Sequence, residues 1–474
     1  MPAAHLRLIS LLVGATFVVI LNETIMGVAL PHLMDDLDIP ATTAQWLTTA
    51  FLLTMATVIP VTGYLLQRFH TRQIYIAAMA AFSTGTLIAA LAPGFEVLLV
   101  GRIVQATGTA LMMPLLMTTV MTLVPEERRG QMMGTITIVI AVAPAIGPTI
   151  SGLVLSGLSW RWMFWIVLPI ALLALGVGAR LVRNVTEPHK LPIDVVSVVL
   201  AAIAFSGVVY GLSLIGEDAR GDTPVAPVVP IVVGAVFLVL FGWRQVRLGD
   251  HPLMDIRVFR HRTFAFAIGL IGVSMMSLFG VIILLPLFMQ NARDASTLTT
   301  GLVLLPGGLM MGLFSPFVGR WYDQYGARPL VVPSTIVLGG SLLWMSTIDQ
   351  STSTAEIVVC YAVLGVSLAL MFTPLMSAGL GALPMNLYAH GSAVFTTLQQ
   401  VAGAAGTALF ITILTRGEVS AADDGLDPAG ATAAGFQDAI IVSAGLCVLA
   451  FALSLFLRSK PAPAPGMEPA PAMH

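Results

Sequence analysis

Charge is the scarcest commodity in this sequence. Only 10% of its 474 residues are Asp, Glu, Lys or Arg, whereas a soluble domain carries about a quarter. With 57% hydrophobic residues and a mean hydropathy of +0.93, the chain cannot fold around one aqueous core and needs lipid as its solvent. Cysteine is nearly absent too. Cys360 and Cys447 both lie in apolar runs, which excludes a disulfide framework or a cysteine metal site and reads as two small core residues. No basic patch is present and the net charge is −2, so no nucleic-acid partner is expected. The eight histidines fall mostly in loops or tails. There is no His-Glu-x-x-His pair and no Gly-x-x-x-x-Gly-Lys-Ser/Thr loop. A membrane-embedded metal enzyme and a self-powered ATPase are excluded, and neither cofactor nor metal is expected.

What the sequence has in abundance is long apolar runs. About fourteen stretches of roughly 20 apolar residues can be marked, the first at 8–30 and the last at 437–458. The first exceeds the ~7–15-residue core of a secretory signal and no small-residue cleavage site follows it, so it reads as a spanning helix. Basic residues test the count. A cytoplasmic N-terminus places Arg7, Arg68, Arg72, Arg128, Arg129, Arg180, Arg183, Lys190, Arg244, Arg247, Arg257, Arg260, Arg262, Arg320, Arg328, Arg458 and Lys460 on the inner side. Only Arg161, Arg220, Arg293 and Arg416 then fall outside. A miscounted helix would spoil this alternation. The expected product is an all-α polytopic protein of the cell membrane with both termini cytoplasmic.

The chain also repeats itself at an offset of about 255 residues. Leu30-Pro31-His32-Leu33-Met34 matches Leu285-Pro286-Leu287-Phe288-Met289, Gly63 to Arg72 matches Gly319 to Arg328, and Gly147 and Ser151 match Gly403 and Thr407. Two six-helix bundles in one orientation follow, at 1–189 and 263–458, with inserted helices 7 and 8 at 190–262. The Pro-Ala tail at 459–474 is expected to be disordered. Parallel halves of this kind are one route to alternating access, with a site near mid-membrane at their interface.

Two motifs carry a family resemblance. Gly63, Arg68 and Arg72 fit a Gly-x-x-x-Asp-Arg-x-Gly-Arg-Arg signature in which Gln67 replaces the acid and His70 the second glycine; the later copy keeps Gly319, Asp323, Gly326 and Arg328. Ala143-Pro144-Ala145-Ile146-Gly147-Pro148-Thr149-Ile150-Ser151-Gly152 combines helix-bending prolines with small residues four apart. On these motifs the chain resembles the major facilitator superfamily, specifically its fourteen-helix drug:proton antiporters of the QacA/EmrB type. The opening Leu21-Asn22-Glu23-Thr24 run is most similar to the lincomycin-resistance branch. The resemblance implies a cytoplasmic gate at the Gly63 and Gly319 copies, where glycine would allow a tight turn and the acid and arginines a charge cluster. Fixing topology is their blander reading. It also implies an antiporter motif at Pro144, Gly147, Pro148 and Gly152, for which plain close packing is the alternative.

Charges inside a membrane are costly and need a reason. Glu23 and Arg102 are the two that lie well within helices, ~12 Å and ~9 Å from the outer ends of helices 1 and 4 at 1.5 Å per residue. Arg102 opens Arg102-Ile103-Val104-Gln105-Ala106-Thr107-Gly108, similar to the family's Arg-x-x-Gln-Gly-x-Gly proton-coupling motif. Much of the family has aspartate at the position of Asn22. Here the acid stands one place further on, about 100° around the helix. Loss of water favours a neutral carboxyl and a nearby arginine favours the charged form; a cavity opening to alternate sides changes that balance. Glu23 and Arg102 are therefore the expected proton-coupling pair, a static ion pair being the alternative.

Polar candidates for a cavity wall are sparse: Asn22, Thr24, Gln105, Gln290, Asn291, Gln399 and Gln400. Interhelical hydrogen bonds are the competing use of the glutamines. Among 24 methionines, Met112, Met113, Met275, Met276, Met310 and Met311 offer adaptable apolar surface. Such a lining suits amphiphilic small molecules better than sugars or phosphates. The expected function is proton-driven export of drugs or amphiphiles by a monomer, powered by the proton gradient; a dedicated exporter of one metabolite or lipid is the alternative.

Overall fold

The computed structural model describes residues 3–185, 188, 192–218, 225–249 and 252–457. The 459–474 tail, Lys190, Arg220, Arg458 and Lys460 lie outside them. Among the described residues, fourteen helices are long and apolar enough to cross a membrane. In order they are α1 (Ala3–Leu37), α2 (Ala41–Arg68), α3 (Thr71–Ala90), α4 (Phe95–Leu123), α5 (Arg129–Leu155), α6 (Arg161–Leu181), α7 (Val195–Asp218) and α8 (Val228–Leu248). The remainder are α9 (Arg262–Leu287), α10 (Thr297–Tyr325), α11 (Arg328–Met345), α12 (Thr354–Gly381), α13 (Tyr388–Asp423) and α14 (Pro428–Ser454). An even number of spans brings the beginning of α1 and the end of α14 to the same face, called the terminal end below.

Lipid supplies no hydrogen bonds, so each spanning backbone must satisfy itself, which only helices do here. Hydroxyls within the helices bond back to carbonyls three or four residues earlier, as Thr16 does to Leu12 and Thr86 to Phe82. Helix packing repeats with an eight-helix step. α1 lies against α4, α5 and α6, and α9 against α12, α13 and α14; α3 touches α4 and α6, and α11 touches α12 and α14. Between the halves, α5 packs along α10 and α13 along α2, the same pairing read from either side.

The inserted helices are peripheral. α7 leans on α2 and α13, and α8 leans chiefly on α7. Ser206 of α7 hydrogen-bonds Thr57 of α2 at 2.8 Å, and Tyr210 meets Trp46 with ring centroids 5.8 Å apart. At the terminal end Arg244 donates twice to Asp194, at 2.7 and 2.8 Å. Those bonds, with one from Ser197, hold the Asp194 carboxyl down at about 2.

Candidate functional site

A cavity of about 520 Å³ lies between the halves, walled by α1, α2, α4 and α5 on one side and by α9, α10, α12 and α13 on the other. Glu23 reaches it from α1 and is half-buried. Arg102 reaches it from α4 with only 1% of its surface exposed. Arg102 Nη1 donates to Gln105 Oε1 at 2.7 Å, and Gln105 Nε2 donates to Thr86 Oγ1 of α3 at 2.8 Å. The guanidinium lies over the Phe51 ring of α2, 4.1 Å from its centroid. Gly108 makes this bracing possible, because a Cβ there would collide with the Ala78 carbonyl and push α4 off α3.

Glu23 and Arg102 act on one another electrostatically, but no salt bridge joins them, and among the described residues the Glu23 carboxylate has no hydrogen-bond partner. The static ion pair is thus not the arrangement found. The arginine is fixed by its neighbours and the acid is left facing open space.

The other candidates divide. Met112, Met113, Thr24, Gln290, Gln399 and Gln400 line the cavity, and so do Met275 and Met311, whereas Met276 and Met310 do not. Gln105 is a correction to the expected lining: it stands behind Arg102 with both ends of its amide spent. Asn22, one residue from Glu23, is turned into the bundle with 2% exposure and its Oδ1 unpartnered among the described residues. Asn291 sits in a π-helical turn after α9, exposed and off the cavity wall. Phe51, Thr48 and Tyr361 line the cavity and were not singled out by sequence. For Thr48 and Phe51 the one signal is a stripe at helical spacing on α2, Thr48, Phe51, Met55 and Ile59, which a uniformly apolar helix obscures.

Pro144 and Pro148 face the cavity from α5, and neither has the N–H that would bond a carbonyl four residues back. Gly147 has no room for a side chain, since a Cβ would strike Thr24 Oγ1 of α1. Thr24 in turn donates to Leu21 O at 2.9 Å and reaches Ala143 O at 3.5 Å. Gly152 has open space around it.

At the terminal end the halves are shut against each other. Asp323, near the end of α10, accepts from the N–H groups of Gly130 at 2.8 Å and Gln131 at 3.0 Å, the unpaired donors at the start of α5. A Cβ at Gly319 would collide with the Gly130 carbonyl. Thr137 of α5 bonds Thr373 of α12 at 3.1 Å. In the first copy, Gln67 Nε2 donates to Asn386 O at 3.0 Å, and Gly63 faces His390 of α13. Arg68 donates to Tyr64 at 2.6 Å, and Arg72 and Arg328 are exposed. The expected tight turns at Gly63 and Gly319 are corrected: both glycines lie inside helices, as points of close approach. Of the glycines in the two motif copies, Gly326 is the one that ends a helix, with φ at 82°. Asp323 also holds backbone N–H groups of α5, contacts that the sequence did not announce. At the far end Asp36 accepts from Trp160 at 2.7 Å and Arg161 at 3.1 Å. Those bonds hold its carboxyl below the ordinary 3.8.

Comparison with known proteins places this architecture. Residues 12–407 match the model of the Major Facilitator Superfamily. The lincomycin resistance protein LmrB of Listeria monocytogenes is 42% identical over 449 residues, covering 94% of this chain and 95% of that protein. LmrB of Bacillus subtilis is 39% identical, covering 95% of each. A multidrug resistance protein B homolog of Mycobacterium tuberculosis is 27% identical over 86% of this chain and 76% of its own length. In fold, the chain is similar to the human organic anion transporter MFSD10 (TETRAN), with a TM-score of 0.69, 15% identity, and 96% of this chain and 100% of that one covered. The chain belongs to the Major Facilitator Superfamily and is a transporter, not an enzyme.

Proposed function

Taking membership of this superfamily as the premise, we propose that the chain exports lipophilic, amine-bearing compounds from the cytoplasm in exchange for protons. The observation that carries this reading is one unpartnered carboxylate, Glu23, beside a fixed arginine in a cavity otherwise lined by methionine, aromatic and aliphatic side chains. An anion that is mobile in charge, next to a cation that is fixed in place, can hold either a proton or a cationic amine. The names of the relatives, lincomycin resistance and multidrug resistance, support drugs as the substrate class.

The arginine distribution supports a cytoplasmic terminal end. The cavity is then closed inward, and Glu23 takes a proton from outside. Neutral Glu23 no longer attracts Arg102 as an ion, and the halves part at Asp323 and Gly319. A cytoplasmic amine binds as Glu23 gives its proton up, and the return to the inwardly closed form carries the substrate out. This is alternating access about a mid-membrane site.

The test is uptake of lincomycin and of a lipophilic cationic dye into everted vesicles, with and without a proton gradient. Gradient-driven uptake that Glu23→Gln abolishes supports the reading. Uptake retained in that variant moves the proton site elsewhere, and no uptake of either compound overturns drug export.

A further inference from the structure

The cavity wall opposite Glu23 holds a pair of amides with nothing to do. Gln399 is 9% exposed and lines the cavity, and its Nε2 has no partner among the described residues. Gln400 beside it also lines the cavity, and its Nε2 makes only a 3.8 Å contact with the sulfur of Met55, a weak acceptor. Gln105 is the control within the same fold, buried with both amide ends used by Arg102 and Thr86. Buried polar groups are almost always paired. An amide left without a partner on a cavity wall is therefore poised for a group that arrives from outside the chain.

We infer that Gln399 and Gln400 form a second, uncharged recognition point, which selects substrates carrying a hydroxyl, carbonyl or amide at the end remote from their amine. The inference rests on the export reading for the amine, which goes to Glu23. Geometry sets the arrangement. Arg102 lies on Phe51, and Met55, which Gln400 touches, is one turn further along α2 toward the terminal end. The amides thus lie ~6 Å nearer the closed end than the charged pair, and on the opposite half. Met112, Met113, Met275 and Met311 line the space as well, giving an apolar body a surface that adapts to its shape. An amide both donates and accepts, so several neutral end groups satisfy it, while an unsubstituted alkyl end leaves it unpaired.

Matched alkyltrimethylammonium ions, with and without a terminal hydroxyl, test this over a series of chain lengths. Binding to the purified full-length protein is measured by titration calorimetry, and transport in everted vesicles. At one chain length the hydroxylated ion is expected to bind about five- to tenfold more tightly, the worth of one neutral hydrogen bond. Gln399→Leu brings that ratio to about one, and Gln399→Asn restores it at a chain about one methylene longer, which a merely structural role would not do. No preference at any length in the wild type, or a preference that survives Gln399→Leu, overturns the inference. If Gln399→Leu does not fold, the wild-type length profile and Gln400→Leu decide in the same way. No binding of either ion overturns it together with the amine site at Glu23. A binding preference without transport of either ion overturns the export reading alone.

Discussion

The α5–α10 and α2–α13 contacts hold equivalent places in the two halves, yet they are made by different chemistry. α5 and α10 meet through backbone at Gly130–Gly319 and Gly134–Ser315, and through the small side chains of Ala145 and Val142 on two glycines of α10, Gly308 and Gly312. Asp323 caps the first turn of α5. α2 meets α13 through side chains, with Gly63 against His390 and Gln400 on the Met55 sulfur, and Gln67 bonds the Asn386 carbonyl in the turn just before α13. The inserted α7 leans on this second pair. One seam is a rigid clasp of charge against helix dipole. The other is softer and shared with a third helix. A repeated sequence can thus give one half the lock and leave the other free to yield, and the loss of the acid at Gln67 is where the two copies part.

That asymmetry can be broken in graded steps, read as the access of an impermeant maleimide, added at the terminal end, to Ala110→Cys on the cavity wall. The two native cysteines are buried and add little background. Gly319→Ala is expected to act most strongly. Its Cβ meets a backbone carbonyl that cannot step aside, and overpacking of about 1–3 kcal/mol opens the terminal end up to ~100-fold. Asp323→Asn keeps the shape but loses the charge and one acceptor, so labelling should rise about 5–30-fold, matching ~1–2 kcal/mol. Unchanged labelling in both would mean that α5–α10 is not the lock.

The softer seam should respond less. Gln67→Glu restores an acid in the first copy, but it turns a donor to the Asn386 carbonyl into a repelling oxygen. It should loosen α2–α13 by ~0.5–1.5 kcal/mol, not tighten it. Gly63→Ala should matter less again, because the added Cβ comes only to 2.9 Å from His390 Nδ1, a ring atom that can turn, and 3.2 Å from its Cα. An effect of Gly63→Ala equal to that of Gly319→Ala would erase the distinction between the seams.

Much of this was legible in sequence for a physical reason. Bilayer thickness dictates helix length, so apolar runs announce the spans, and a charge in such a run stands out, which is how Glu23 and Arg102 were found. Direction around a helix was not legible. A helix that is apolar all round has no periodic face to read, so the turning of Asn22 away from the cavity and the entry of Phe51 and Tyr361 into it left no mark. Gln105 and Gln399 look alike in the chain. Only the position of Thr86 and the Gly108 contact tell the brace from the amide that faces the cavity.

The smallest expected effect concerns pH. Asp36 has its acidity raised by Trp160 and Arg161, so the bond from α1 to α6 is fully present above the ordinary carboxyl value and is lost only as pH falls through the lower folded value. Asp36→Asn should therefore leave the pH profile of transport unchanged between about pH 5 and 8. A profile shifted within that range would bring Asp36 into the coupling.

Proton release from the purified protein when substrate is added, followed with a pH-sensitive dye in weak buffer, tests the central claim most directly. The account expects release from the wild type and none from Glu23→Gln, with substrate still bound by the wild type at saturation. Release that persists unchanged in Glu23→Gln would contradict it.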